Sequence, residues 1–258
     1  EKEINAFLDG MEDYMSHPSC PGVFLFDEVG VSTFSSIGKV YAAFHKRFSD
    51  KEFRWNEANY CLSDDKLSFS GEAKPLQGEF ASLSENRFRR YERFFQSLFS
   101  EFQTSAVSAD FYPYITLWPS IPSSIHRALF EMNAFFADLK RRSYSFEYDS
   151  YVQVGCWDNL TRPLSEGEMA LQINVPLAYG HEGLVFFPGI YPNEWLDDAG
   201  MKDSRQGGCA LLDAYGQKTI YYRQIQRQLK QACLVYNDFL AQSDFLGVTS
   251  RGVFEGDF

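Results

Sequence analysis

GVFLFDEVG, residues 22–30, is an apolar run that ends in two carboxylates and a glycine. A short, continuous apolar run is typical of a strand whose two faces are both covered, as in parallel sheets. Helical patterns flank it, one from Lys2 to Ser16 and one that begins at a cap on Ser32 or Thr33 and runs to Arg47. The segment therefore predicts a βα unit.

The same alternation recurs along the rest of the chain. Strand-like runs lie at residues 51–61, 105–115, 150–158 and 182–189, with a further candidate at 209–216. Helical patterns run from Leu83 to Phe102, Ser123 to Arg142, Ser165 to Tyr179 and Tyr221 to Gln242. Strands that alternate with helices predict an α/β fold with a parallel sheet.

Five βα units are visible, whereas a closed (β/α)8 TIM barrel has eight. Either the first three units precede residue 1, or the sheet is open and doubly wound. The first strand is not followed by a glycine-rich phosphate loop, which disfavours a dinucleotide-binding open sheet. We expect residues 1–258 to form a single (β/α)-barrel domain that is incomplete on its N-terminal side.

Composition excludes several classes of function. The 258 residues are 45% hydrophobic, enough to bury a core, and their net charge of −11 would repel a nucleic acid backbone. Apolar runs are too short to span a membrane. The five cysteines and four histidines are dispersed, so we expect no metal site and no cofactor. Without an initiator methionine or signal peptide, the chain is expected to be processed or trimmed.

Candidate site residues follow the predicted strands, because the functional groups of such barrels lie at the carboxyl ends of the strands. These residues are Asp27, Glu28, Asn56, Glu57, Asp110, Tyr112, Gln153 and Trp157. They include several carboxylates and no Ser/His or Cys/His arrangement. Paired carboxylates suit glycosidic bond cleavage, in which one acts as the acid and another as base or nucleophile.

Each candidate has a structural alternative. Glu28 is the strongest catalytic candidate, although Asp27 and Glu28 could start a solvated loop or cap a helix. Asp110 is the second catalytic candidate, and a turn-stabilising aspartate is equally compatible with its position. Gln153 lies inside an apolar run, where it either faces the site or is a hydrogen-bonded core amide.

The aromatic candidates and Glu57 have similar alternatives. Tyr112 offers a ring face and a hydroxyl beside the stiff Pro113, and Trp157 is either a stacking platform or a core residue. Glu57 is a further carboxylate or an ordinary loop charge. The 17% aromatic content is compatible with a glycan site but is explained equally by core packing.

Six motifs in order resemble the clan A-like glycoside hydrolase barrels, in particular the bacterial β-galactosidase-like and cellulase-like proteins. They are His17-Pro18-Ser19 with GVFLFDEVG, Asn56, Asp110-Phe111-Tyr112-Pro113, Gln153 before Trp157, Arg162-Pro163 through Ala178-Tyr179-Gly180, and Asp213 through Tyr222. The resemblance implies that the chain supplies barrel strands four to eight. It also implies that Glu28 is the general acid/base.

Two positions depart from that family. Val29 replaces the proline that usually follows the Asp-Glu pair. Gln153 lies where retaining members carry a nucleophilic glutamate at the end of strand seven, and an amide can neither form the glycosyl ester nor act as a base. The resemblance therefore implies an acid role for Glu28 but not the mechanism.

The sequence thus predicts a glycoside hydrolase that cleaves an oligo- or polysaccharide. Asp110 would be the partner carboxylate, with Asp27, Asn56, Glu57 and Gln153 binding substrate. The alternatives are a non-catalytic carbohydrate-binding protein on the same barrel, which Gln153 favours, and a lyase or isomerase. The resemblance implies a secreted, periplasmic or cell-surface location.

Overall fold

The computed structural model describes residues 2–58, 85–102, 104, 106–114, 125–142, 145–155, 163–190, 210–213 and 215–243. Five parallel strands alternate with helices in these residues, and the strand order β1-β2-β3-β4-β5 follows the chain. This order confirms the α/β class and fits part of a βα barrel. The chain divides into two compact units, Glu1–Ala109 and Asp110–Phe258.

The described residues of the first unit form three strands and four helices. In chain order its elements are α1 (Lys2–Asp9), α2 (Glu12–Met15), β1 (Gly22–Asp27), a 3-10 turn (Val31–Thr33), α3 (Phe34–Arg47), β2 (Glu52–Ala58), α4 (Glu85–Glu101) and β3 (Ala106–Asp110), whose last residue begins the second unit. The prediction of one helix from Lys2 to Ser16 is wrong. Gly10 separates α1 from α2 because glycine is the poorest helix former after proline.

Aromatic side chains fill the core of this unit. Five aromatic side chains are at most 2% exposed: Phe34 and Phe44 of α3, Trp55 of β2, Phe94 of α4, and Phe102, which follows α4. The Trp55 and Phe102 rings meet edge to face at 4.5 Å, and those of Phe34 and Phe94 at 5.0 Å. Each such side chain contributes about 2–3 kcal/mol of burial. Part of the high aromatic content is therefore structural.

The second unit contains the remaining elements. They are α5 (Ile125–Arg141), β4 (Glu147–Gln153), α6 (Glu166–Ala178), β5 (Gly183–Phe187), α7 (Ile220–Asp238) and a 3-10 turn (Leu240–Gln242). Strands β4 and β5 pair in register from Asp149 and Gly183 to Gln153 and Phe187. Helix α6 begins, as predicted, after Ser165, which forms a capping box with Glu168.

The candidate strand at residues 209–216 is wrong for its described part. Leu212 makes only isolated bridges, to Ile190 and to Lys218. The chain then turns, because the Asp213 carboxylate accepts the backbone N–H groups of Tyr215 and Gln217 at 2.9 and 2.8 Å. Such side-chain bonds favour a turn over a strand.

No helix in the described part of the chain is long and apolar enough to cross a membrane.

Candidate functional site

The carboxyl end of β1 is bent by a bulge. Phe24 pairs with Arg54 and Asp27 with Asn56, so β1 advances three residues while β2 advances two. Phe26 and Glu28 adopt positive φ angles of 66° and 47°. Non-glycine residues rarely adopt this conformation, and a bulge redirects the side chains beyond it. The bulge therefore sets the direction of Asp27 and Glu28, the two predicted carboxylates.

Asn56 of β2 holds both of these residues. Its side-chain Nδ2 donates to Asp27 Oδ1 at 2.8 Å, and its backbone carbonyl accepts the Glu28 N–H at 3.0 Å. Strained backbone persists only where the surrounding contacts determine it. Asn56 thus fixes the bulged end of β1 through one side-chain and one main-chain hydrogen bond.

Ser108 of β3 lies beneath Asn56. Its hydroxyl donates to the Trp55 carbonyl at 2.8 Å and lies 3.4 Å from Asn56 Oδ1. Ser108 and Asn56 are 2% and 3% exposed, whereas Asp27 is exposed and Glu28 is half-buried. We call Asp27, Glu28, Asn56 and Ser108 the β1–β3 polar cluster. Its buried members are hydrogen-bonded, and its exposed carboxylate, Asp27, can meet a ligand.

The second unit carries the other predicted residues. Tyr112 follows β3. The centre of its ring lies 6.1 Å from that of Tyr151, with an angle of 83° between the ring planes, and 5.8 Å from that of Phe187. Tyr112 and Phe187 are half-buried, whereas Tyr151 is 8% exposed. We call these three the Tyr112 ring group. Partly exposed ring faces of this kind can pack against an apolar ligand surface.

Gln153 is fully buried and its side chain is engaged with the backbone. Its Oε1 accepts the Tyr114 N–H and its Nε2 donates to the Gly155 carbonyl, both at 3.1 Å. Its own N–H donates to Gln172 Oε1 at 2.9 Å, from helix α6. This geometry fits the alternative of a satisfied core amide. Through its bond to the Tyr114 N–H, Gln153 fixes the loop that carries Tyr112. These hydrogen bonds do not support the predicted contact between Gln153 and substrate.

Asp110, the last residue of β3, is half-buried. The charge of Asp110 acts on the Tyr148 hydroxyl, which is fully buried. Burial raises the pKa of Tyr148 far above its ordinary value, and the charges of Asp110 and Asp149 raise that pKa further. Tyr148 is therefore a neutral phenol, and the polar surroundings of Asp110 include it.

Two predicted residues have no described side chain. Glu57 lies within β2, but only its backbone is described, and Trp157 lies outside the described residues. Asp27, Glu28 and Asn56 come together in the first unit, and Asp110, Tyr112 and Gln153 all lie in the second. Within the described residues, no group of three or more His, Cys, Asp or Glu residues could hold a metal ion.

Sequence reasoning missed Ser108 and the Gln153–Gln172 pair. Ser108 is a small polar residue within the apolar run 106–109, and Gln172 lies on an otherwise apolar stretch of α6. A buried polar residue inside an apolar element needs a partner, which is the signal that could have identified both.

Comparison with known proteins gives no family for this chain. No protein-family model matches it, and no curated protein is significantly similar to it.

Proposed function

We propose that this chain is a glycoside hydrolase that cleaves O-glycosidic bonds of an oligo- or polysaccharide. Its five βα units would belong to a (β/α)8 barrel. The observation that carries the proposal is the bulged end of β1, where a half-buried Glu28 and an exposed Asp27 follow an apolar strand and are held by Asn56. The Asp27 carboxylate accepts a hydrogen bond from the buried Asn56 amide, and the Glu28 backbone is bonded to the same residue. This fixes the strand end from which acid/base chemistry is expected.

Glu28 is the proposed general acid/base. It would donate a proton to the glycosidic oxygen as the bond between that oxygen and the anomeric carbon breaks, while Asp110 either attacks the anomeric carbon or takes a proton from an attacking water. Where Asp110 attacks, Glu28 would then accept a proton from the water that releases the sugar. Asp27 is assigned to substrate binding because its Oδ1 already accepts a hydrogen bond from Asn56. Asn56 is assigned to holding this end of the strand.

Asp110 is the proposed second carboxylate, as base, nucleophile or substrate anchor. The Tyr112 ring group would pack against the apolar face of a sugar ring, since Tyr112 and Phe187 are partly exposed. Glu57 and Trp157 remain proposed substrate-binding residues from the sequence. An extended glycan substrate accords with a secreted, periplasmic or cell-surface location, which is also a proposal.

A non-catalytic carbohydrate-binding protein is the second candidate. The position at which the resemblance expects a nucleophilic glutamate is Gln153, whose amide is buried and bonded to backbone groups. An amide there removes one carboxylate from the retaining mechanism. Ring stacking and strand-end polar groups would still bind a sugar.

Hydrolysis and binding measured together separate the two candidates. Wild type, Glu28→Gln and Asp110→Asn would be assayed against aryl glycosides and against plant and host polysaccharides, with glycan binding followed by calorimetry. Glu52→Gln is the matched control, because Glu52 is an exposed carboxylate at the opposite end of β2. The hydrolase proposal expects Glu28→Gln to lose turnover and keep binding, with Glu52→Gln unchanged. Binding by a folded wild type that turns over none of the substrates would favour the binding protein.

A further inference from the structure

The turn before α7 carries Tyr215, an aromatic residue to which the proposed reaction gives no role. Tyr215 is 87% exposed, more than any other large apolar side chain in the described part of the chain. Burial of an aromatic ring contributes about 2–3 kcal/mol and is the usual structural reason for such a residue. Because the Tyr215 ring stays in solvent, core packing does not account for it.

The backbone that carries Tyr215 is held in place by hydrogen bonds. The Asp213 carboxylate accepts the N–H groups of Tyr215 and Gln217 at 2.9 and 2.8 Å. The Asp213 backbone closes the same turn, because its N–H donates to the Gln217 carbonyl and its carbonyl accepts the Gly216 N–H, both at 2.9 Å. Gly216 has a φ of 76°, which favours glycine. A ring on a fixed backbone loses little conformational entropy on binding, so Tyr215 is preorganised for a ligand.

The turn lies just beyond the carboxyl end of β5. Leu212 donates its N–H to the Gly189 carbonyl at 3.0 Å, and it bridges to Ile190 in parallel and to Lys218 in antiparallel orientation. Phe187, the last residue of β5 and a member of the Tyr112 ring group, comes two residues before Gly189. Ligands of parallel α/β sheets bind at the carboxyl ends of the strands. The turn and the Tyr112 ring group therefore lie at the same end of the second unit.

Segments paired with this turn add exposed apolar side chains beside it. Ile190 and Ile220 are both exposed. Ile190 bridges to Leu212, and Ile220 follows Thr219, whose N–H donates to the Leu211 carbonyl at 3.1 Å. Single exposed apolar residues are ordinary on protein surfaces, whereas several on neighbouring segments mark a place where a ligand or partner binds.

The chemistry of the turn favours a sugar ring as this ligand. A tyrosine side chain offers an apolar ring face to the C–H groups of a sugar and a hydroxyl to its O–H groups. Nucleic acid bases also stack on exposed aromatic rings, but the net charge of −11 disfavours a phosphate backbone. A glycan is therefore the ligand that agrees with both the ring and the charge.

We propose that Tyr215 forms an outer subsite, which binds a sugar ring other than the two joined by the bond that is cleaved. The inference rests on the proposed function and narrows its substrate class to a glycan chain of several sugar rings. The Tyr112 ring group packs against one ring of this chain, and Tyr215 stacks on another. Short glycosides end before they reach Tyr215.

Substrate length tests this inference on the complete protein. Affinity would be measured by calorimetry for oligosaccharides of increasing length, and kcat/KM for the same series and for aryl glycosides. Tyr215→Ala removes the ring, whereas Tyr215→Trp keeps an aromatic face at the same position. Tyr14→Ala is the matched control, because Tyr14 is also an exposed tyrosine, on α2 of the first unit. Equal melting temperatures establish that the variants are folded.

The expected effect depends on chain length because only long chains reach Tyr215. We expect Tyr215→Ala to weaken the binding of long oligosaccharides at least about fivefold, which corresponds to about 1 kcal/mol. Its kcat/KM should fall by a similar factor on long chains and stay unchanged on aryl glycosides. Tyr215→Trp and Tyr14→Ala should both behave as wild type.

Two results would overturn the inference. Equal affinity of wild type and Tyr215→Ala at every chain length would mean that the ring binds no sugar. An equal loss on short and long substrates would mean that Tyr215 does not form an outer subsite.

The same experiment separates this inference from the proposed function. Binding that depends on Tyr215, in a wild type that hydrolyses nothing, would contradict the hydrolase alone. Hydrolysis of long chains that Tyr215→Ala leaves unchanged would contradict the outer subsite alone. A wild type that binds no glycan at any length would contradict both.

Discussion

Acid should destabilise this protein through His181, a residue that is fully buried at the start of the β5 segment. Its ring Nε2 lies 3.1 Å from the Asn133 carbonyl, and its ring packs edge to face on Tyr148 at 4.4 Å. Burial, and secondarily the charge of Lys140, lowers the pKa of His181 from 6.5 to about 3, against the opposing effect of the Asn133 bond. The folded protein therefore holds this imidazole neutral, and Nε2 donates to Asn133.

The sign of the effect follows from proton uptake. Below pH 6.5 the unfolded chain binds a proton at His181 and the folded chain does not, until the pH nears 3. The contribution to stability is therefore complete above pH 6.5 and is lost as the pH falls. Each pH unit in this window costs about 1.4 kcal/mol, so the free energy of unfolding should fall by about 2 kcal/mol from this group alone by pH 5.

Urea unfolding at pH 7.5, 6 and 5 measures this loss. His181→Gln keeps a donor near Asn133 and removes the titration, so its free energy of unfolding should fall by about 2 kcal/mol less than that of wild type between pH 7.5 and 5. His17→Gln is the matched control, because His17 is exposed, and it should follow wild type. If the free energies of unfolding of wild type and His181→Gln fell in parallel with pH, His181 would not be the source of the acid destabilisation.

Four further substitutions test the close packing, the buried hydrogen bonds and the helix cap of the described residues. Gly22→Ala should lower the free energy of unfolding in urea by about 3 kcal/mol or more, because its Cβ would overlap the Glu52 carbonyl oxygen. Gly167→Ala should instead raise it by up to about 1 kcal/mol, because nothing lies within 4 Å of the added Cβ. Gln153→Leu should cost about 3 kcal/mol by leaving two buried backbone groups without this partner, and a cost below about 1 kcal/mol would contradict the clamp. Ser165→Ala should cost about 1 kcal/mol by removing the capping box of α6, measured in the same way.

The alternation of strands and helices could be read from the sequence because it depends on local patterns. Strand-like runs predicted every strand from β1 to β5, and the helical pattern from Ser165 to Tyr179 predicted α6. The predicted run at residues 150–158 begins three residues after the start of β4 at Glu147, because Glu147 and Asp149 are charged. The Asp149 carboxylate of β4 occupies the space that a Cβ on Gly183 of β5 would need. This close approach between the two strands cannot be predicted from either residue alone.

The candidate site was harder to predict because it depends on contacts between distant residues. The strand-end rule placed Asp27 and Glu28 correctly at the end of β1. The bulge at Phe26 depends on register with β2, and the Ser108 bond joins residues 52 positions apart. The polar character of Gln153 within an apolar run predicts a site residue, whereas its hydrogen bonds to the Tyr114 and Gly155 backbone cannot be read from the sequence.

The leaving-group dependence of hydrolysis shows whether Glu28 is a general acid. Wild type and Glu28→Gln would be compared on dinitrophenyl glycosides, whose leaving group needs no protonation, and on the corresponding alkyl glycosides or oligosaccharides, whose leaving group does. We expect Glu28→Gln to lose about 10²–10⁴-fold in kcat/KM on the second class and little on the first. An equal loss on both classes, or no loss on either, would contradict this role of Glu28.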